Sequence, residues 1–122
     1  MRTFIIDTDA GSDDAVALLM ALRAPDIRIA AITSVAGNVE VTHTTRNACY
    51  CVELCGADVP VYAGADRPLL VPWRGASEFH GEDGLGDRGY RPQRMQPAPG
   101  SAIPALIEAI RANPGCVLVT LG

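Results

Sequence analysis

The chain has 122 residues, 48% hydrophobic and 20% charged, which admits one domain with a core and excludes two domains, disorder and fibrous repeats. No apolar run approaches the roughly 18–20 residues of a membrane span, and Asp7 interrupts what would be the apolar stretch of a signal peptide, so the sequence reads as a cytoplasmic protein. Fourteen acids against ten arginines give a net charge of −4, which excludes nucleic-acid binding through a basic face.

Residues 3–8 form a short apolar, β-branched run that stops in acids and Gly11, the pattern of a buried strand. From Asp13 the period changes. Ala15, Leu18, Leu19 and Leu22 recur at helical spacing up to Pro25, which predicts a helix with Ser12 as its N-cap. Residues 27–35 predict a second buried strand, and 39–54 a second helix closed by Gly56. A short strand is expected over 59–62, a third helix over 102–112 and a last strand over 116–121. Near-continuous apolar strands alternating with helices predict one α/β unit over residues 1–122. It is a Rossmann-like sheet of mainly parallel strands with flanking helices. Between 63 and 100 lie five of the nine prolines and seven of the twelve glycines. A stretch of that length is a candidate active-site loop rather than an inert connection.

Cys49, Cys51 and Cys55 have a spacing that could suggest zinc. They sit in helical periodicity, however, and read as small core residues in a reduced cytoplasm. The acids are more informative. Asp7, Asp9, Asp13 and Asp14 fall within eight residues, and the remaining ten acids balance the ten arginines. Strand alternation predicts that Asp7 and Asp9 share one side of the strand end, facing Asp13 and Asp14 at the start of the helix. Converging carboxylates repel unless compensated, and oxygen-only donors favour a hard cation such as Ca²⁺ or Mg²⁺. Helix-dipole stabilisation accounts for Asp13 and Asp14 but not for Asp7 and Asp9.

The run Asp7-Thr8-Asp9-Ala10-Gly11-Ser12-Asp13-Asp14-Ala15 resembles the N-terminal signature of the inosine/uridine-preferring nucleoside hydrolases, Asp-x-Asp-Pro-Gly-x-Asp-Asp-Ala. Three further stretches, Thr33–Asn38, Thr45–Ala48 and His80–Gly86, are similar to family motifs in the same order. Ala10 stands in the usual proline position, which is expected to loosen the turn. The resemblance implies a calcium-dependent hydrolysis of the N-glycosidic bond of ribonucleosides. Asp9 would be a calcium ligand and the general base, and Asp14 a bidentate calcium ligand. Leu121 would offer its backbone carbonyl to the ion. Asp13 would bind ribose hydroxyls, Asn38 would contact the ribose or the attacking water, and Asp7 would order the turn.

Such chemistry suits these residue types. Breaking an N-ribosidic bond develops oxocarbenium character on the sugar, a cation acidifies and positions water, and a nearby carboxylate takes the proton. His80 reads from its surroundings as a solvated residue of a glycine-rich loop. The resemblance implies instead a substrate contact in a loop that closes over the site. Trp73 and Phe79 could shield the site from water or simply pack the loop.

The resemblance covers little more than the opening third of the family's length. The chain is therefore expected to be the N-terminal part of a longer homo-oligomeric protein, inactive alone. Two other readings are open. One is a haloacid dehalogenase-like Mg²⁺ phosphatase, which also begins with a strand ending Asp-x-Asp but has Thr or Val where Gly11 stands. The other is a non-catalytic calcium- or nucleoside-binding remnant.

Overall fold

A computed structural model describes all residues, Met1–Gly122. The elements follow in the order β1 (Arg2–Thr8), α1 (Ser12–Arg23), β2 (Ile27–Ser34), α2 (Val41–Leu54), β3 (Val61–Ala63), α3 (Ser77–His80), α4 (Ala102–Ala112) and β4 (Val117–Thr120). The four strands form one sheet in the order β3-β2-β1-β4, and every pairing is parallel.

The chain steps one way along the sheet from β1 to β3 and then crosses back over β2 and β1 to β4. Right-handed crossovers in opposite directions put their helices on opposite faces. Accordingly, α1 and α2 pack together and against β2, while α4 lies on β1, β2 and β3. The strand order reverses at β1, and the crevice beyond its carboxyl end is where ligands of open α/β sheets bind. No helix is long and apolar enough to cross a membrane.

The core lies between β1, β2, α1 and α2. Ile6, Ile32, Leu18, Ala48, Cys49, Cys51 and Val52 are buried there, and Ala15, Leu19 and Leu22 pack onto them. These last residues share the stripe with Leu18, so the helical period of α1 was a sound guide. Burial of Leu18, which has no exposed surface, is worth roughly 1.5–3 kcal/mol. Cys49 and Cys51 carry thiols pushed by burial to about 11 and about 12. Both therefore stay protonated near neutrality and make poor metal ligands. All four cysteines are free.

Two local readings are corrected. Ser12 does not cap α1: the N-cap is Gly11, without a side-chain bond, and the Ser12 hydroxyl instead donates to the carbonyl of Gly84 at 3.3 Å. The glycine-rich stretch also contains the single helical turn α3, which ends on His80.

Candidate active site

The site is built on the link between β1 and α1. Thr8, the last residue of β1, is completely buried. Its hydroxyl donates to Asp14 Oδ2 at 2.7 Å and accepts from the backbone N–H of Ala10 at 2.9 Å. Ala10 is also fully buried and has a φ of +33°, a conformation uncommon for a residue with a side chain. Its carbonyl accepts from Asn47 Nδ2 at 3.1 Å. The turn is therefore tied at both of its peptide groups rather than loosened. A proline at this position could neither donate to Thr8 nor adopt a positive φ.

The acids around this kink take different partners. Asp7 remains in the ladder opposite Thr33, and its Oδ1 accepts from the Thr33 hydroxyl at 2.6 Å. Asp9, one residue beyond the strand, accepts the backbone N–H of Asn38 on Oδ2 at 3.0 Å. Alternation along the strand thus stops at Thr8, and four acids do not converge. No three His, Cys, Asp or Glu side chains are grouped to hold a metal ion. The acids in contact are a pair, Asp9 and Asp14. Asp14 is 6% exposed, and its carboxyl is raised to about 6, first by burial and then by its hydrogen bond with Asp9. Thr8 opposes the rise, while the charges of Asp9 and Asp13 add to it. Asp13 itself is exposed at the head of α1.

Close backbone approaches assemble the rest. A Cβ on Gly37 would stand 2.2 Å from Asp9 Oδ2, and one on Gly11 would stand 2.3 Å from Asn38 Nδ2 and 3.1 Å from His80 Nδ1. At Gly37 the clash extends to Asp9 Cβ at 2.4 Å, whereas at Gly11 a side chain would require the Asn38 amide to move. His80 accepts a long hydrogen bond from the N–H of Ser12 on Nδ1 at 3.4 Å. On the other flank, Leu121 donates its N–H to the carbonyl of Asp7 at 2.7 Å, and a Cβ on Gly122 would lie 3.0 Å from the Asp9 nitrogen. The turn at residues 9–12 is therefore flanked by Asn38, His80 and the end of β4.

The loop is strapped across this edge. Trp73 Nε1 donates to the carbonyl of Gly37 at 2.9 Å, Ala76 N–H to the carbonyl of Asn38 at 2.6 Å, and Asn47 Nδ2 to that of Asp83 at 2.7 Å. A cavity of about 390 Å³ opens between Asn38, Glu40, His43, Trp73, Ser77 and Glu82. A larger hollow of about 520 Å³ lies near Glu53, Val59 and Met95, away from the carboxylate pair. Thr8, Asn47 and Trp73 serve as supports that the sequence reading assigned no role of this kind. Thr8 could have been found as an inward-pointing hydroxyl two residues before the kink, and Asn47 as an amide among buried positions of α2.

The sequence profile described as "Inosine-uridine preferring nucleoside hydrolase" matches residues 4–122. The chain belongs to this family. The non-specific ribonucleoside hydrolase RihC of Klebsiella pneumoniae (strain 342) is 41% identical over 119 residues, covering 97% of this chain and 39% of that protein. A probable uridine nucleosidase 2 of Arabidopsis thaliana is 37% identical over 121 residues, covering 97% of this chain and 38% of that protein. Among solved structures, the purine-preferring ribonucleoside hydrolase of Gardnerella vaginalis superposes with a TM-score of 0.90 at 28% identity, covering 99% of this chain and 40% of that one. The plant nucleoside hydrolase PpNRh1 gives 0.88 at 36% identity, covering 99% and 39%. The chain thus spans about two fifths of the length of the nucleoside hydrolases it matches. The parallel sheet with flanking helices is their fold.

Proposed function

We propose that this chain carries the N-terminal part of the active site of a ribonucleoside N-ribohydrolase. Its substrate class is the ribonucleosides, and its products are ribose and free base. The observation that carries the reading is the Asp9–Asp14 contact at the strand-order reversal, with Asn38, His80 and Leu121 around it.

The donor chemistry fits a hard divalent cation in kind. Two carboxylates touch at the tip of β1, their mutual charge calls for a proton or a cation, and a backbone carbonyl at Leu121 is one residue from the ladder partner of Asp7. Asp9, Asp14 and Leu121 would hold calcium. The number of acidic donors is small, so binding to this chain should be weak. Calcium, when bound, supplies positive charge that favours loss of a proton from water and orients ribose hydroxyls.

The chain's own residues do the rest. Asp9 is held by the Asn38 N–H and takes the proton of the attacking water. Asp13, exposed at the helix head, accepts hydrogen bonds from the ribose, and the Asn38 amide donates to it. His80 contacts the nucleoside from the loop above. Fixing the ribose in this way supplies orientation, a large part of the barrier in such reactions. Free thiols at all four cysteines support a cytoplasmic setting. Exposed Ile103, Ile107 and Leu118 leave apolar surface that further chain or a second copy would cover.

Calorimetry with calcium on the chain, and release of reducing sugar from inosine and uridine by a polypeptide of the relatives' full length, test the reading. Asp14→Ala should abolish the calcium heat. Asp9→Asn should keep much of it and lose turnover by about 100-fold or more, the scale of a lost general base. Unchanged calcium affinity in Asp14→Ala, or full turnover in Asp9→Asn, would refute the respective role.

A further inference from the structure

Asn47 is 1% exposed, sits in the middle of α2 and makes none of its side-chain bonds within that helix. Its Nδ2 donates to the carbonyl of Ala10 at 3.1 Å and to the carbonyl of Asp83 at 2.7 Å. Both partners are acceptors, so the orientation of the amide follows from chemistry. Its Oδ1 is buried without a partner. A buried amide that leaves its oxygen unsatisfied bears a desolvation cost, and here its two donors are directed at two segments far apart in sequence.

One segment is the turn at Ala10, between Asp9 and Asp13. The other is the loop that begins at His80, and the two meet only through long hydrogen bonds, Ser12 N–H to His80 Nδ1 at 3.4 Å and Ser12 Oγ to the Gly84 carbonyl at 3.3 Å. The amide is therefore the strongest link between them. Gly84 is shaped to admit it, since a Cβ there would stand 3.0 Å from Asn47 Nδ2 at a φ of +84°.

We infer that Asn47 is a positioning residue of this site: its buried amide clamps the His80 loop to the aspartate turn and thereby sets the height of the loop above the carboxylate pair. The role as a clamp stands on the geometry alone. Its consequence for a nucleoside rests on the function proposed above.

Amide hydrogen exchange on the 122-residue chain, without nucleoside or metal, tests the clamp independently of that function. Asn47→Asp keeps the shape and removes both donors. Exchange at Ala10, Leu85 and Gly86, whose N–H groups are bonded within the two segments, should rise together by about tenfold or more, the scale of a lost hydrogen bond. Exchange at Cys55, bonded to Cys51 in α2, should stay as in the parent. If Asn47→Asp does not fold, Gly84→Ala, confined to the loop, displaces the amide from the other side and should accelerate Leu85 and Gly86 likewise. Unchanged exchange in the loop in either variant, or an equal rise at Cys55, overturns the clamp. In the full-length enzyme, Asn47→Asp should raise KM for the nucleoside more than it lowers kcat; an equal fall in kcat with unchanged KM would overturn the positioning role.

Discussion

Helices α2 and α4 sit on opposite faces of one sheet and are treated very differently. In α2, seven of fourteen residues are buried, among them Thr44, Thr45 and Asn47. In α4, Ala102 is the one buried residue of eleven, although Ile103, Ile107 and Ile110 give it the greasier sequence, and these three are exposed. The two helices therefore differ in burial within this chain, which spans about two fifths of its relatives' length. What admits α2 to the interior is that its polar groups find partners. Thr44 donates to the carbonyl of Val35 at 2.9 Å, Thr45 and Ser34 share a hydrogen bond of 2.7 Å, and Asn47 reaches the turn and the loop. Buried hydroxyls and amides are tolerated when they are bonded, and here they also place the site.

The contrast can be broken most directly by truncation. Val52→Ala, at a fully buried position of α2, should cost about 2 kcal/mol in denaturant unfolding. Ile107→Ala, at a side chain 47% exposed on α4, should cost less than about 1 kcal/mol. Equal losses would mean that α4 is buried in solution. A finer comparison sets a buried hydroxyl against a helix cap. Thr44→Val strands the carbonyl of Val35 and should cost about 1–2 kcal/mol. Ser101→Ala removes a long cap bond to Ile103 of 3.4 Å and should cost about 0.5 kcal/mol, the low end for caps.

The smallest effect is a matter of pH at the C-terminal end of α2. The backbone N–H groups of Gln93, Met95 and Arg94 hold the Glu53 carboxyl below its ordinary 4.5. A depressed carboxyl binds fewer protons folded than unfolded, so its stabilisation is complete above pH 4.5 and lost as the pH falls through the lower folded value. Thermal melts from pH 6 to pH 3 should therefore drop more steeply for the parent than for Glu53→Gln. Parallel curves would show that the cradle does not discriminate charge.

Much of this was legible in the sequence. Helical spacing located α1, and the expected third helix over 102–112 coincides with α4. β-Branched runs located β1 and β2, because such segments have few alternatives once buried on both faces. Residues gathered at the turn, Asp9, Asp14, Asn38, His80 and Leu121, were found through the collinear motifs. Two things were not legible. Alternation could not foresee the positive φ of Ala10, a conformation held by bonds to Thr8 and Asn47, nor that Asp7 and Asp9 take different partners. Nor could Ser12 be told apart as a loop contact rather than a cap, because its partner Gly84 is 72 residues away.

The loop above the site is braced from within. Asp83 Oδ1 accepts from the N–H groups of Leu85 and Asp87, and Asp87 Oδ1 accepts from that of Asp83. Gly81 and Gly89, at φ of +79° and +74°, bracket this knot. A segment so cross-tied is ordered by hydrogen bonds of its own. Little chain entropy is left for it to lose on meeting a ligand.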